Sequence, residues 1–186
     1  MKLKKANAFF GLLTILLLLV HAGYEMYAYV NFVYNPGVTK LLSYLLLGAL
    51  IMHMILGMSI MMFAKDTADL LQYPRENRST ILQRGSAIAM LALLFGHMKA
   101  YGILTSHFGG KLSLFLAIVI QALFFAAVFL HVGTSFSKAF VTLGLLSSMT
   151  VKKWIDRIVW VICIVSFILI LGIIIQTYGM LWNMPA

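Results

Sequence analysis

Long apolar runs broken by short polar joins give this chain its pattern. Five runs are long enough to cross a bilayer, which takes about 20 mostly apolar residues. They cover residues 7–30, 40–63, 80–104, 112–134 and 154–178. The turn Asn35-Pro36-Gly37 separates the first two runs, and AKDTADLLQYPRENRST, the longest hydrophilic segment, follows the second. TSHFGGK is a short, Gly-rich join, whereas SFSKAFVTLGLLSSMTVKKW is too polar and broken to span. Backbone amides in hydrocarbon must be paired within their own segment, so the runs are predicted to be helices. They hold too many consecutive apolar residues to be barrel strands. The expected fold is an all-α membrane protein of five transmembrane helices, one domain over residues 1–186, with the first four helices forming a bundle.

Composition agrees with the pattern. The 186 residues are 62% hydrophobic and 10% charged, against about 25% charged in soluble domains. Almost nothing remains to fold outside the bilayer, so chemistry on a water-soluble substrate is expected on another chain. The net charge of +9 is topological, and no nucleic acid is implied. Lys2, Lys4, Lys5, Lys65, Arg75, Arg78, Arg84, Lys138, Lys152, Lys153 and Arg157 fall on one side of the expected spans; only Lys40, Lys99 and Lys111 fall on the other. Positive residues collect on the cytoplasmic side, which puts the N-terminus inside and the C-terminus outside. Trp154 and Trp182 fit interfacial anchors at the ends of the fifth span. The first run lacks a small-residue cleavage site and carries His21 and Glu25 near its end, so no cleavable signal peptide is expected.

The candidate chemistry is carried by histidine. His21, His53, His97 and His131 lie one in each of the first four spans, and His107 in an outer join. Ionisable groups inside a membrane are rare and usually functional. Counting rise from the expected cytoplasmic edges, His21 stands about 20 Å up and His97 about 25 Å, while His53 stands about 15 Å up and His131 about 7 Å. Two therefore belong to the outer half and two to the inner. Neutral imidazole ligates haem iron, and two imidazoles from facing helices can fill both axial positions. The depths thus predict two haems b, held by His53 with His131 and by His21 with His97, one above the other as an electron path. Zinc would want three or four ligands at one level, which no level supplies.

The surrounding residues suit a flat cofactor. Gly57, Gly96 and Gly133 lie near the histidines, either giving a ring room or simply packing helices. Arg84, Lys138 and Lys99 are candidates to pair haem propionates, although each also fits a snorkelling interfacial cation. Glu25, one turn from His21, is the only acid expected to be buried in a span and a candidate acceptor of quinol protons. Tyr24, Tyr27 and Tyr29 line a quinone site or, the preferred reading, belong to the aromatic belt. Cys163 is read as a core residue, since one cysteine cannot form an internal disulfide and no C-x-x-C-H is present. The twelve methionines are read as bundle filler.

In HAGYE, HMILGMSIMM, RSTILQRGSAIAMLALLFGHMK and HVGTSFSKAFVTLGLL, the chain resembles the di-haem cytochrome b membrane anchors of succinate dehydrogenases and fumarate reductases, the single-polypeptide five-helix type. The resemblance covers most of the chain as topology and histidine placement. It implies that His53 and His131 ligate a proximal haem and His21 and His97 a distal one. It also implies docking of an iron–sulfur subunit, which carries a flavoprotein with covalent FAD, onto Lys65 to Ser79 and Ser135 to Lys153. Electrons would then pass between those subunits and a menaquinone-type quinone near the outer face of a bacterial inner membrane. The chain would serve as the electron-transfer subunit, without dicarboxylate chemistry of its own.

Two other classes fit parts of this pattern. A cytochrome b561-like quinol or ferric reductase would bind haem without soluble partners. A haem-free small transporter would use its histidines for protons or metal ions, but paired intramembrane carboxylates and broken helices are missing from the sequence.

Overall fold

The protein is described by a computed structural model covering residues 2–31, 33, 35–63, 73–75, 77–106 and 110–182, without the side chains of 29, 30, 101, 103–106 and 181. The described residues form helices and short connections, with no strand. The helices are α1 (Lys2–Asn31), α2 (Pro36–Phe63), α3 (Arg78–Ser106), α4 (Lys111–Leu143) and α5 (Met149–Trp182). All five are long and apolar enough to cross a membrane, so the protein is a multi-pass membrane protein.

Helix boundaries follow local chemistry. Asn35 does more than turn the chain. Its Oδ1 accepts from the amides of Gly37 at 2.9 Å and Val38 at 3.3 Å, which makes it the N-cap of α2. Pro36 takes the first helical position, where its missing N–H costs nothing. As a result α2 begins four residues before the expected Lys40. The segment 135–153 is also more helical than expected. α4 runs on to Leu143 and stops in a Schellman motif, with Leu145 N bonded to Phe140 O at 3.0 Å and Gly144 N to Val141 O at 3.1 Å. Gly144 adopts φ +81° there, a conformation that needs no Cβ. Ser148 then caps α5 through its hydroxyl, which accepts from Val151 N at 3.4 Å. The break expected across this segment is thus confined to residues 144–148.

The chain divides into two compact units, residues 1–72 with 136–152, and residues 73–135 with 153–186. In the first, α1 and α2 form an antiparallel hairpin that buries small residues, Ala8, Ala28 and Ala49. In the second, α3, most of α4 and α5 enclose Ala100, Leu114, Ala117, Ile174 and Tyr178. The Tyr178 hydroxyl donates to Ala100 O at 2.7 Å, tying the C-terminal parts of α5 and α3 together. Cys163 is buried with a free thiol, as a core residue would be.

Large apolar side chains point outward: Phe95 is 75% and Leu19 64% exposed. Among the described residues the buried polar ones are Thr39, Ser86, Gln121, Thr134 and Ser137. Such an arrangement suits a lipid solvent, where small and polar residues serve as helix contacts. Hydroxyls within the helices return to their own backbone, as from Thr14 to Phe10 O and Thr134 to Leu130 O, both at 2.8 Å. At the ends of the second unit, Lys111 stands 5.6 Å over the Trp182 ring and Arg157 5.3 Å over Trp154, in keeping with the two tryptophans as anchors.

Candidate functional site

Three of the four helical histidines are placed by a neighbouring helix in the same unit. His53 on α2 leans on the start of α1, where its Nδ1 lies 3.1 Å from Asn7 O. Its ring fits there because residue 11 is glycine: a Cβ on Gly11 would lie 3.0 Å from His53 Cε1 and 3.3 Å from Nδ1. His131 on α4 reaches α3, with Nδ1 3.0 Å from Gln83 O and 3.4 Å from Ser86 Oγ. His97 on α3 meets α4, with Nδ1 2.6 Å from Gln121 Oε1. Its ring stacks on Phe124 at 4.3 Å and meets Phe125 edge-on at 5.7 Å.

A carbonyl oxygen can only accept, so Nδ1 is the protonated nitrogen in each of these contacts, and in the neutral ring Nε2 carries the lone pair. Metal-ligating histidines almost always donate their other N–H to an oxygen in this way. The residues at His53, His97 and His131 therefore fit axial ligation through Nε2.

His21 is built differently. Among the described residues its buried Nδ1 has no hydrogen-bond partner, and the same holds for Glu25 Oε1 one turn along α1 and for Thr39 Oγ1 on α2. Thr39 lies beside the Glu25 carboxyl, short of hydrogen-bond geometry. Three buried polar atoms without a protein partner thus collect at one end of the first hairpin.

In each unit the two histidines stand at separate levels. His53 packs on Gly11, ten residues (21 − 11) before His21 on α1, a rise of about 15 Å. His131 packs on Ser86, eleven residues (97 − 86) before His97 on α3, a rise of about 16 Å. Within each unit the two histidines are thus separated by about three helical turns.

The other candidates are less specific. Arg84 and Lys138 are half-buried and Lys99 is exposed, so each keeps its interfacial reading. Gly96 and Gly133 admit protein side chains: added Cβ atoms would lie 2.7 Å from Ile120 and 2.9 Å from Trp160, so both pack helices. Gly57 faces Asn7 Oδ1 at 3.6 Å. Tyr24 is half-buried and Tyr27 exposed. Tyr29, Lys65 with most of the hydrophilic segment, and His107 lie outside the described side chains. Among the described residues no three His, Cys, Asp or Glu side chains converge on one point.

Sequence reasoning missed Asn7, Gly11, Gln83, Ser86, Thr39 and Gln121. Gln121 carried a signal, a lone amide inside the apolar run LSLFLAIVIQALFF, where polar groups are costly. Asn7 and Gln83 act through backbone carbonyls, which no sequence letter reveals. Comparison with known proteins finds no matching family model, curated protein or solved structure.

Proposed function

We propose that this chain is the di-haem b, quinone-reactive membrane anchor of a succinate:quinone or quinol:fumarate oxidoreductase in a bacterial inner membrane. One observation carries the reading: three intramembrane histidines on three helices hold Nδ1–H on a protein oxygen, the form in which Nε2 ligates iron. The two levels within each unit support it further.

By the resemblance, His53 with His131 would hold the inner haem and His21 with His97 the outer. Haem b, when bound, supplies a one-electron redox centre. The protein's own groups do the rest. Asn7 O, Gln83 O and the Gln121 amide orient the imidazoles, and the apolar outer faces keep the helices in lipid. Arg84, Lys138 and Lys99 are the cations that would pair the haem propionates. Glu25, with Thr39 beside it, is the group to receive protons from a quinol, a menaquinone type by the resemblance. The surplus of Lys and Arg supports a cytoplasmic N-terminus and an outside C-terminus. The segments Lys65 to Ser79 and Ser135 to Lys153 would then face the iron–sulfur subunit and its FAD-carrying flavoprotein.

The test is spectroscopic. Full-length protein purified from haem-replete membranes should show b-type bands in reduced-minus-oxidised spectra. His53→Ala or His131→Ala should lose the inner haem first, and His21→Ala or His97→Ala the outer. Colourless wild-type protein would reject the proposal in favour of a transporter. Haem without any co-purifying flavoprotein would favour a stand-alone reductase of the b561 kind.

A further inference from the structure

We infer that Gln121 is a positioning residue that fixes the protonation form of His97 and sets the electron donation of that imidazole alone. The geometry stands by itself; its redox consequence rests on the haem reading above. Gln121 is a buried amide whose two ends both meet His97. Oε1 lies 2.6 Å from the ring Nδ1, and Nε2 donates to the His97 carbonyl at 3.5 Å. Turning the amide over would set its oxygen against that carbonyl oxygen, acceptor against acceptor. The amide therefore has one favoured orientation, which makes Nδ1 the donor and leaves the lone pair on Nε2. Phe124, three residues further along α4, stacks on the ring face at 4.3 Å, so a single stretch of α4 holds both the edge and the face of the imidazole.

The arrangement differs from those of His53 and His131. Their main acceptors are the backbone carbonyls of Asn7 and Gln83, which substitution of those residues leaves in place. The acceptor of His97 is a side chain, so its strength is open to adjustment by sequence. An oxygen drawing on Nδ1–H raises the basicity of Nε2 as a ligand and so favours the oxidised iron. Loss of that oxygen raises the reduction potential of the haem held by His97 and leaves the other unchanged.

The test has two arms on the full-length protein in detergent. In haem-free protein with 15N-labelled histidine, His97 should show a protonated Nδ1 in the wild type and lose that preference in Gln121→Leu. In haem-loaded protein, Gln121→Leu should raise the midpoint of the outer haem only and weaken its retention about 10- to 100-fold. Gln121→Glu, which keeps an acceptor oxygen, should return the midpoint to the wild-type value or below. Should Gln121→Leu not fold, Gln121→Glu against wild type still decides: a midpoint above the wild-type value overturns the inference. So does a His97 Nδ1 signal identical in wild type and Gln121→Leu, or a shift of both haems together. If the wild type binds no haem, the haem reading fails, and the 15N arm alone decides the role of Gln121.

Discussion

Replacing Gly11 with alanine tests whether the imidazole of His53 is seated against α1. A Cβ at position 11 would stand 3.0 Å from Cε1, 3.3 Å from Nδ1 and 3.7 Å from Nε2 of that ring. Carbon atoms pack best at about 3.5–4.0 Å, so the ring must retreat or the hairpin must open by several tenths of an ångström. Either movement strains the 3.1 Å contact between Nδ1 and Asn7 O. Overpacking of this kind costs about 1–3 kcal/mol. Alanine returns about 0.5–1 kcal/mol because it is the better helix former. That gain acts on folding whether or not haem is held, so the overpacking alone, about 1–3 kcal/mol against the seated ring, corresponds to about 5- to 160-fold weaker haem retention at His53. The assay is the haem-to-protein ratio with a redox titration that separates the two haems. Gly23→Ala is the control on the same helix, because a Cβ there meets nothing within 4 Å and only the helix gain remains. Gly11→Ala should therefore lower inner-haem retention, and Gly23→Ala should leave it unchanged. Gly11→Ala protein that keeps its full inner haem, or loses no more than Gly23→Ala, would refute the contact.

Two further substitutions probe other parts of the structure. Glu25→Gln keeps the size of the side chain and removes its ability to take a proton, so quinol-linked turnover should fall about 100-fold with haem content unchanged; turnover at the wild-type rate would remove Glu25 from the mechanism. Gly144→Ala places a Cβ on a residue at φ +81° and should cost about 1–2 kcal/mol, seen as a lower unfolding midpoint in detergent; an unchanged midpoint would mean that the α4 terminus does not need this conformation.

The functional reading was legible as far as the side chains themselves carry it. Four histidines in four apolar runs are visible as letters, and so is Glu25 one turn from His21. The groups that orient the imidazoles were not. Asn7 and Gln83 contribute carbonyl oxygens, which every residue has, and Gly11 contributes the absence of a side chain. Gln121 stood out as an amide in an apolar run, but its partner lies 24 residues away on another helix.

The sequence by itself determined the five membrane-length helices, because hydrocarbon leaves a polar backbone no partner but itself and an apolar run of that length no other state. It also determined which helices carry histidine. Tertiary structure decided the level at which neighbouring helices meet. That register set the His53 ring against Gly11, and the local fold made Asn35 the cap of α2. It also decided which nitrogen of each imidazole is protonated. Register and tautomer depend on which oxygen of one helix falls opposite a ring of the next, and the hydrophobic pattern of a single helix holds no record of that distance.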